Sequence, residues 1–192
     1  MFLKLDGRRC LVVGAGKVGE SRIRSLLIAH AEVRVVAPTA TAAVAAWARS
    51  GVVSWEAREF RGSDLGSVFL VVAATSSVDV NDEVFRQARE RLILCNVVDD
   101  PDRCDFYYSA VVRRGALQIA ISTEGQSPAL AQRLRRELEK QLTPVYAGWL
   151  QWLGNARKRL FASPMDPEQR RRRLHTLASR ESFELRYPGG RP

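Results

Sequence analysis

The sequence predicts an α/β protein whose first part is a doubly wound parallel sheet, and three observations support this prediction. Apolar runs of strand length alternate with helical patterns through the first hundred residues. Some runs, such as "SVFLVVAA" at 67–74, are apolar almost throughout, which is typical of strands buried on both faces of a parallel sheet. A glycine-rich turn directly follows the first run. Together these features indicate strand–helix–strand units with helices on both faces of the sheet.

The elements of this sheet follow in order along the chain. The first strand is expected at Cys10–Val13, and a helix is expected from Lys17 to His30. A second strand at Val33–Pro38 is expected to end at its proline. The later elements are a helix at 41–50, a weaker strand near 52–55, an apolar strand within 67–77, a helix at 80–92 and a buried strand at 92–98.

The pattern changes after residue 111. Residues 107–123 predict two strands joined by "RRG", an antiparallel hairpin with no helix between its strands. Ser127 is the predicted N-cap of the next helix, with Pro128 at its first position. Pro144 begins further helical patterns. We therefore expect a doubly wound domain at 1–111, a small α+β central segment at 112–143 and a helical C-terminal segment at 144–192.

Composition narrows the function classes. The chain has 192 residues, a formal net charge of +9 and three cysteines without C-x-x-C spacing. Such cysteines argue against a disulfide framework or a zinc site. No apolar run approaches the ~20 residues that span a bilayer, and the start of the chain lacks the features of a signal peptide. We expect a soluble cytoplasmic protein whose basic charge suits an acidic partner: nucleic acid, a membrane surface or a polyanionic small molecule.

The glycine turn has the spacing Gly14-x-Gly16-x-x-Gly19 between a strand and a helix. Gly14 permits the tight turn, Gly16 lets the backbone approach a pyrophosphate, and Gly19 lets the helix pack on the strand. The N–H groups at the helix N-terminus favour phosphate. This Rossmann-like arrangement predicts dinucleotide binding; the alternative is a purely structural turn, or a domain that has lost its ligand.

One expected part of the nucleotide site is missing from the sequence. An acid about 20 residues after the glycines usually binds the adenosine ribose. Here the second strand ends in Ala37, Pro38 and Thr39, and Arg34 lies back within the strand. These residues leave the choice between NAD and NADP open.

Four stretches carry a family resemblance: "VVGAGKVGESRIRSLL", "VVAATSS…VN", "CNVVDDP" and "ISTEGQSPALAQRLRRELE". Over about residues 1–162 the chain resembles the precorrin-2 dehydrogenase/sirohydrochlorin ferrochelatase family, whose module also forms the N-terminal half of siroheme synthase. The resemblance implies oxidation of precorrin-2 to sirohydrochlorin with NAD⁺ in siroheme synthesis. In some members it also implies Fe²⁺ insertion to give siroheme.

The resemblance also assigns individual residues. It implies that Asp99, the acid of "NVVD", is catalytic, and that Lys17, Val18, Pro38 and Thr39 contact NAD. It places Thr123, where a bacterial member has serine, near the tetrapyrrole and the metal. It further implies a homodimer formed through the central segment, with strands near 111–122 suited to that role.

The residues themselves agree with a role for Asp99. It follows a buried parallel strand, and doubly wound folds bind ligands at that end of their strands. Removal of a hydride from a tetrapyrrole is accompanied by loss of a proton, which a carboxylate can accept. The same carboxylate is a possible transient ligand of Fe²⁺, and no other metal ligand is predicted. We expect the neighbouring Asp100, Asp102 and Asp105 to form a solvated turn.

Two other functions compete with this one. A nucleotide-sensing regulatory module would use its arginine-rich C-terminus to bind nucleic acid, but neither a recognition helix nor interleaved aromatic and basic residues is clear. A chelatase without dehydrogenase activity would not need the intact glycine turn. We therefore expect a polycarboxylate tetrapyrrole as the partner of the basic residues, and neither nucleic acid nor a membrane.

Overall fold

The computed structural model describes residues 2–188, which form two compact units that meet between Tyr107 and Tyr108 along the chain. We call them the first unit and the second unit. The predicted boundary at residue 111 falls inside a strand of the second unit. Residues 189–192 of the predicted C-terminal segment lie outside the described residues.

The first unit is a parallel five-stranded sheet with helices, as the sequence predicts. Its strands have the order β3-β2-β1-β4-β5. Their bounds are β1 Arg9–Ala15, β2 Glu32–Ala40, β3 Ser54–Glu56, β4 Leu70–Ala73 and β5 Leu94–Val97. The helices are α1 Lys17–Ile28, α2 Ala42–Arg49 and α3 Val78–Glu90, with short 3-10 helices at Gly62–Leu65 and Pro101–Arg103.

The strand order indicates at which edge of this sheet a ligand is expected to bind. The chain runs outward from β1 through β2 to β3, and then crosses to β4 and β5 on the other side of β1. The connections therefore diverge at the carboxyl ends of β1 and β4, and such a switch point is where open α/β sheets bind ligands. The glycine turn joins β1 to α1 at this edge.

Apolar burial explains why these strands form the centre. All four residues of β4 are buried, and five of the seven residues of β1 are buried as well. A strand buried on both faces cannot alternate polar with apolar residues, which is why these runs are continuously hydrophobic. One core cluster joins β1, β2, β4 and β5 to α3, which contributes Val84 and Ala88.

One predicted boundary is wrong. β2 does not stop at Pro38 but continues to Ala40, which pairs with Ala15 of β1 after an irregularity in the register. Pro38 has no N–H to donate to a neighbouring strand. The pairing of β2 with β1 is already irregular at this point, so the proline does not end the strand. Helix α1 ends at Ile28, within two residues of its predicted end, and His30 adopts a left-handed conformation with φ of 59°.

As far as residue 188, the second unit combines a two-stranded antiparallel hairpin with four helices. The hairpin strands are β6 Ala110–Arg114 and β7 Leu117–Ile121. The helices are α4 Pro128–Gln141, α5 Val145–Ala162, α6 Pro167–Leu177 and α7 Arg180–Arg186. Ser127 caps α4 as predicted, because its hydroxyl accepts the Leu130 N–H at 3.3 Å. At the other end of α4, the Arg114 guanidinium donates to the carbonyl oxygen of Glu139 at 2.7 Å.

Within residues 2–188, every helix is too short or too polar to cross a membrane.

Candidate functional site

The glycine turn has the shape that a dinucleotide requires. Gly14 has φ of 101°, and a Cβ there would lie 2.4 Å from the carbonyl oxygen of Ala74. A Cβ on Gly19 would lie 2.2 Å from the carbonyl oxygen of Gly14. Protein packing therefore requires both glycines. Gly16 differs, because a Cβ there would meet no atom within 4 Å. Open space at Gly16 is what the approach of a pyrophosphate needs, so the turn fits NAD.

The first turn of α1 provides hydrogen-bond donors beside Gly16. Gly16 is the N-cap residue and has no side chain with which to cap the helix. The N–H groups of Lys17 and Val18 have no carbonyl partner within the helix, because the first turn of any helix leaves its donors free. Both residues are exposed. The donors and the positive end of the helix dipole suit an anion such as a pyrophosphate.

The end of β2 lies beside this turn. Pro38 and Thr39 are exposed there, and the Thr41 N–H donates to the carbonyl oxygen of Ala15 at 3.0 Å. The Thr41 hydroxyl caps α2 and also donates to the Glu20 carboxylate at 2.8 Å. Glu20 lies in α1, but its carboxylate reaches the end of β2, where residues 37–41 provide no acid. The residues of β2 alone therefore do not predict it. Its signal in the sequence is its position directly after Gly19.

A side-chain amide fixes the loop after β4, which packs against Gly14. The Asn81 side chain donates to the carbonyl oxygen of Thr75 at 3.1 Å, and its oxygen lies 2.9 Å from the Thr75 hydroxyl. Thr75 also bonds Ser77, the N-cap of α3. Asn81 therefore shapes one side of the switch point. Asn81 belongs to the stretch "VVAATSS…VN", but its contacts with the loop could not be predicted from that stretch.

Asp99 and the glycine turn lie on opposite sides of β4 along the sheet, because Asp99 follows β5 and the turn follows β1. β5 is two strands from β1, so Asp99 sits roughly 10 Å from β1 along the carboxyl edge of the sheet. Its side chain is exposed, and its backbone is left-handed with φ of 62°. A non-glycine residue in this region is uncommon, and Asp and Asn tolerate it best. Such a backbone persists where the surrounding structure holds it.

The acids after Asp99 do not form the uniformly solvated turn that we expected. Asp105 exchanges two bonds with Cys95 of β5: its carboxylate accepts the Cys95 N–H at 2.9 Å, and its own N–H donates to the Cys95 carbonyl at 2.8 Å. Asp100 pairs with Arg103 at 2.7 Å. Asp102 is exposed to solvent, as we expected. Asp105 is exposed as expected, but its bonds to Cys95 were not predicted, because a local pattern of Asp and Pro does not reveal a partner ten residues away.

Further contacts hold the turn that carries Asp99. Asn96 of β5 is 95% buried and donates to the carbonyl oxygen of Phe106 at 2.8 Å and to the Cys104 sulfur at 3.1 Å. Arg103 bridges the turn to α3, because it bonds Asp82 as well as Asp100. The carboxylate of Asp99 is therefore presented by a pre-organised turn.

Burial makes two of the cysteines poor nucleophiles. It raises the pKa of Cys10 to about 11. Burial also raises the pKa of Cys95 to about 12, with smaller contributions from Asp105 and Cys104. Thiols with such pKa values stay protonated at neutral pH. Within residues 2–188, no group of three or more His, Cys, Asp or Glu residues is arranged to hold a metal.

Thr123 belongs to the second unit, and the other candidate residues belong to the first. Its side chain is half-buried, and its hydroxyl oxygen accepts the Ser127 N–H at 3.2 Å. Its carbonyl oxygen accepts the Gln126 N–H at 2.9 Å. Thr123 thus organises the loop that leads into α4.

The two units differ sharply in charge. The first unit carries fourteen Lys and Arg residues and fourteen Asp and Glu residues, whereas the second carries sixteen basic and seven acidic residues. The whole net charge of +9 therefore belongs to the second unit. On α4, Arg133, Arg136 and Lys140 line a surface groove of about 470 Å³ together with Glu137 and Glu139.

Comparison with known proteins agrees with this arrangement. Residues 1–110 match the family described as putative NAD(P)-binding, and residues 114–141 match the family described as sirohaem biosynthesis protein central. The siroheme synthase of Neisseria meningitidis is 37% identical over an alignment 209 positions long, which covers 99% of this chain and 43% of that protein. Siroheme synthase 2 of Yersinia enterocolitica is 41% identical over 170 residues, which cover 86% of this chain and 36% of that protein. The chain thus spans less than half the length of these relatives.

A solved structure matches over nearly the whole chain. It is that of SirC, a precorrin-2 dehydrogenase, with a TM-score of 0.79 and 29% sequence identity. The match covers 94% of this chain and 89% of SirC. The chain belongs to the family described as putative NAD(P)-binding over residues 1–110, and this domain is followed by the sirohaem biosynthesis central region at 114–141.

Proposed function

We propose that this chain is an NAD-dependent precorrin-2 dehydrogenase that forms sirohydrochlorin in siroheme biosynthesis. The observation that carries the proposal is the carboxyl edge of the first-unit sheet, where a glycine turn open at Gly16 lies two strands from the exposed Asp99. The similarity to SirC, a precorrin-2 dehydrogenase, and to the siroheme synthases supports the same assignment.

The residues divide the chemistry between binding and proton transfer. When bound, NAD⁺ supplies the hydride acceptor for the oxidation. The glycines and the α1 N-terminus, with Lys17 and Val18, hold its pyrophosphate, while Pro38 and Thr39 border its adenosine end. The tetrapyrrole also loses a proton as it is oxidised, and the Asp99 carboxylate accepts that proton. The products are sirohydrochlorin, NADH and one proton, so electrons and protons balance.

The charge of the second unit supports a polyanionic substrate. Precorrin-2 carries many carboxylates, and a strongly basic unit raises the local concentration of such a molecule and speeds its association. Guanidinium groups also form the stronger, charge-assisted hydrogen bonds with carboxylates. We assign the basic balance to this substrate rather than to nucleic acid. Thr123, at the start of the loop before α4, belongs to the proposed substrate neighbourhood.

Three further parts of the proposal concern metal, assembly and location. Fe²⁺ is a second substrate, inserted into sirohydrochlorin with Asp99 as the proton acceptor or transient ligand. The β6–β7 hairpin is the dimer contact, because among the residues that the structure describes each strand of this sheet has one edge without a neighbouring strand. The protein works in the cytoplasm, where its three free cysteines stay reduced.

A single reaction series tests the function. Precorrin-2 is incubated with the protein and NAD⁺, sirohydrochlorin and NADH are followed by absorbance, and Fe²⁺ is then added. We expect sirohydrochlorin to form only with the dinucleotide, followed by siroheme after iron is added. Formation of siroheme from supplied sirohydrochlorin, without any oxidation of precorrin-2, would show a chelatase alone. Binding to DNA with a steep salt dependence and no turnover would favour the regulatory module.

A further inference from the structure

The end of β2 is the part of the nucleotide site that decides between NAD and NADP. In Rossmann domains an acid there binds the ribose 2′-hydroxyl, and an arginine accommodates a 2′-phosphate instead. In this chain the residues from 37 to 41 are uncharged: Ala37, Pro38, Thr39, Ala40 and Thr41. Any charged group at the end of β2 therefore belongs to another element.

Glu20 of α1 brings a carboxylate to the end of β2. One carboxylate oxygen accepts the Thr41 hydroxyl at 2.8 Å. Thr41 itself lies against the glycine turn, because its N–H donates to the Ala15 carbonyl at 3.0 Å and the preceding Ala40 pairs with Ala15. The side chain of Glu20 is 22% exposed, so it is not fully enclosed by the protein.

An arginine completes this arrangement. The other carboxylate oxygen of Glu20 accepts from the Arg24 guanidinium at 3.0 Å, one helical turn along α1. Arg24 is 61% exposed and also lies over the Trp47 ring, at 5.6 Å from its centre. Glu20 thus engages a cation that could otherwise bind phosphate.

We propose that Glu20 makes the site selective for NAD over NADP, an inference that rests on the proposed use of a dinucleotide. Its carboxylate can accept a hydrogen bond from the 2′-hydroxyl of NAD. It repels the 2′-phosphate of NADP, which carries a charge of the same sign. Its pairing with Arg24 also keeps that guanidinium from the phosphate. The acid that Rossmann domains usually carry on the second strand is supplied here by the first helix.

The test measures cofactor binding without turnover. Dissociation constants for NAD⁺ and NADP⁺ are determined by calorimetry for the unaltered chain and for Glu20→Gln, which keeps an oxygen that accepts from Thr41. Glu32→Gln is the control, because Glu32 is an exposed acid at the opposite end of β2. We expect the preference for NAD⁺ to fall at least about tenfold in Glu20→Gln, a size typical of one charge interaction near a protein surface. The control should keep the preference.

Two more variants separate the effect of the Glu20 charge from that of the Arg24 guanidinium. Glu20→Asp keeps the charge and should keep most of the preference. Adding Arg24→Gln to Glu20→Gln should weaken NADP⁺ binding again, because the released guanidinium is then gone. An unchanged preference in folded Glu20→Gln overturns the proposal. If the unaltered chain binds neither dinucleotide, the proposed function fails instead, and the two failures are thus distinguishable.

Discussion

Replacement of Asp99 by asparagine separates its chemistry from its structure. The backbone at Asp99 is left-handed with φ of 62°, and an ordinary L-residue there costs about 1–2 kcal/mol. Alanine would therefore mix strain with loss of the carboxylate. Asparagine tolerates this conformation as aspartate does, has the same shape and cannot accept the proton as a carboxylate can.

The expected loss follows from the role of a positioned base. Such a group contributes roughly 10²–10⁴-fold, so Asp99→Asn should lower the rate of precorrin-2 oxidation at least about a hundredfold. NAD⁺ binding should survive, because we propose that the turn between β1 and α1, and not the Asp99 turn, binds the pyrophosphate. Any Fe²⁺ insertion should fall as well if one carboxylate serves both steps.

The assay follows sirohydrochlorin by absorbance in single turnovers, with the dissociation constant of NAD⁺ measured in parallel. Asp102→Asn is the matched control, because Asp102 is an exposed acid in the same turn. It should keep near-normal turnover. Near-normal turnover by folded Asp99→Asn would refute the assignment of the base, whereas equal losses in both variants would point to the charge of the turn as a whole.

The remaining predictions concern the cofactor, the Asp99 turn and acid stability. Gly16→Val should abolish NAD⁺ binding without changing the circular-dichroism spectrum, because its side chain would occupy the open space and meet no protein atom within 4 Å at Cβ; normal affinity would contradict the cofactor site. Asp105→Ala should lower the free energy of unfolding in urea by about 1–3 kcal/mol, because it leaves the buried Cys95 N–H without its acceptor. A change within about 0.5 kcal/mol, as for ordinary surface positions, would contradict that role. The hydrogen bond from Arg58, followed by those from the Arg61 N–H and by nearby charges, lowers the pKa of the buried Asp64. Its stabilising effect should therefore be complete above its unfolded pKa of about 3.9 and disappear as the pH falls through the lower folded value. Thermal melts between pH 7 and pH 2 should show a smaller acid loss for Asp64→Asn than for the unaltered chain, and equal losses would contradict this source.

The sequence was informative where local rules decide the structure. Continuous apolar runs identified the buried parallel strands, and the spacing of Gly14, Gly16 and Gly19 located the nucleotide turn. Ser127 and Pro128 marked the start of α4, because capping depends on residues only a few positions apart. The family resemblance drew attention to Asp99, and the exposed position of Asp99 after β5 is consistent with that choice.

The sequence was less informative where distant contacts decide. Glu20 reaches Thr41 across 21 residues, and Asp105 bonds Cys95 across ten. Such partners are set by strand order, which no local pattern specifies. β2 continues past Pro38 because its pairing with β1 is already irregular beside Gly14, and that irregularity is a property of two strands together.

The most direct test of the central claim is the oxidation of precorrin-2 by the purified chain, with and without NAD⁺. We predict that sirohydrochlorin and NADH form in equal amounts, that no sirohydrochlorin forms without the dinucleotide, and that Gly16→Val abolishes the reaction. A folded chain that binds NAD⁺ and precorrin-2 but forms neither product would contradict the claim.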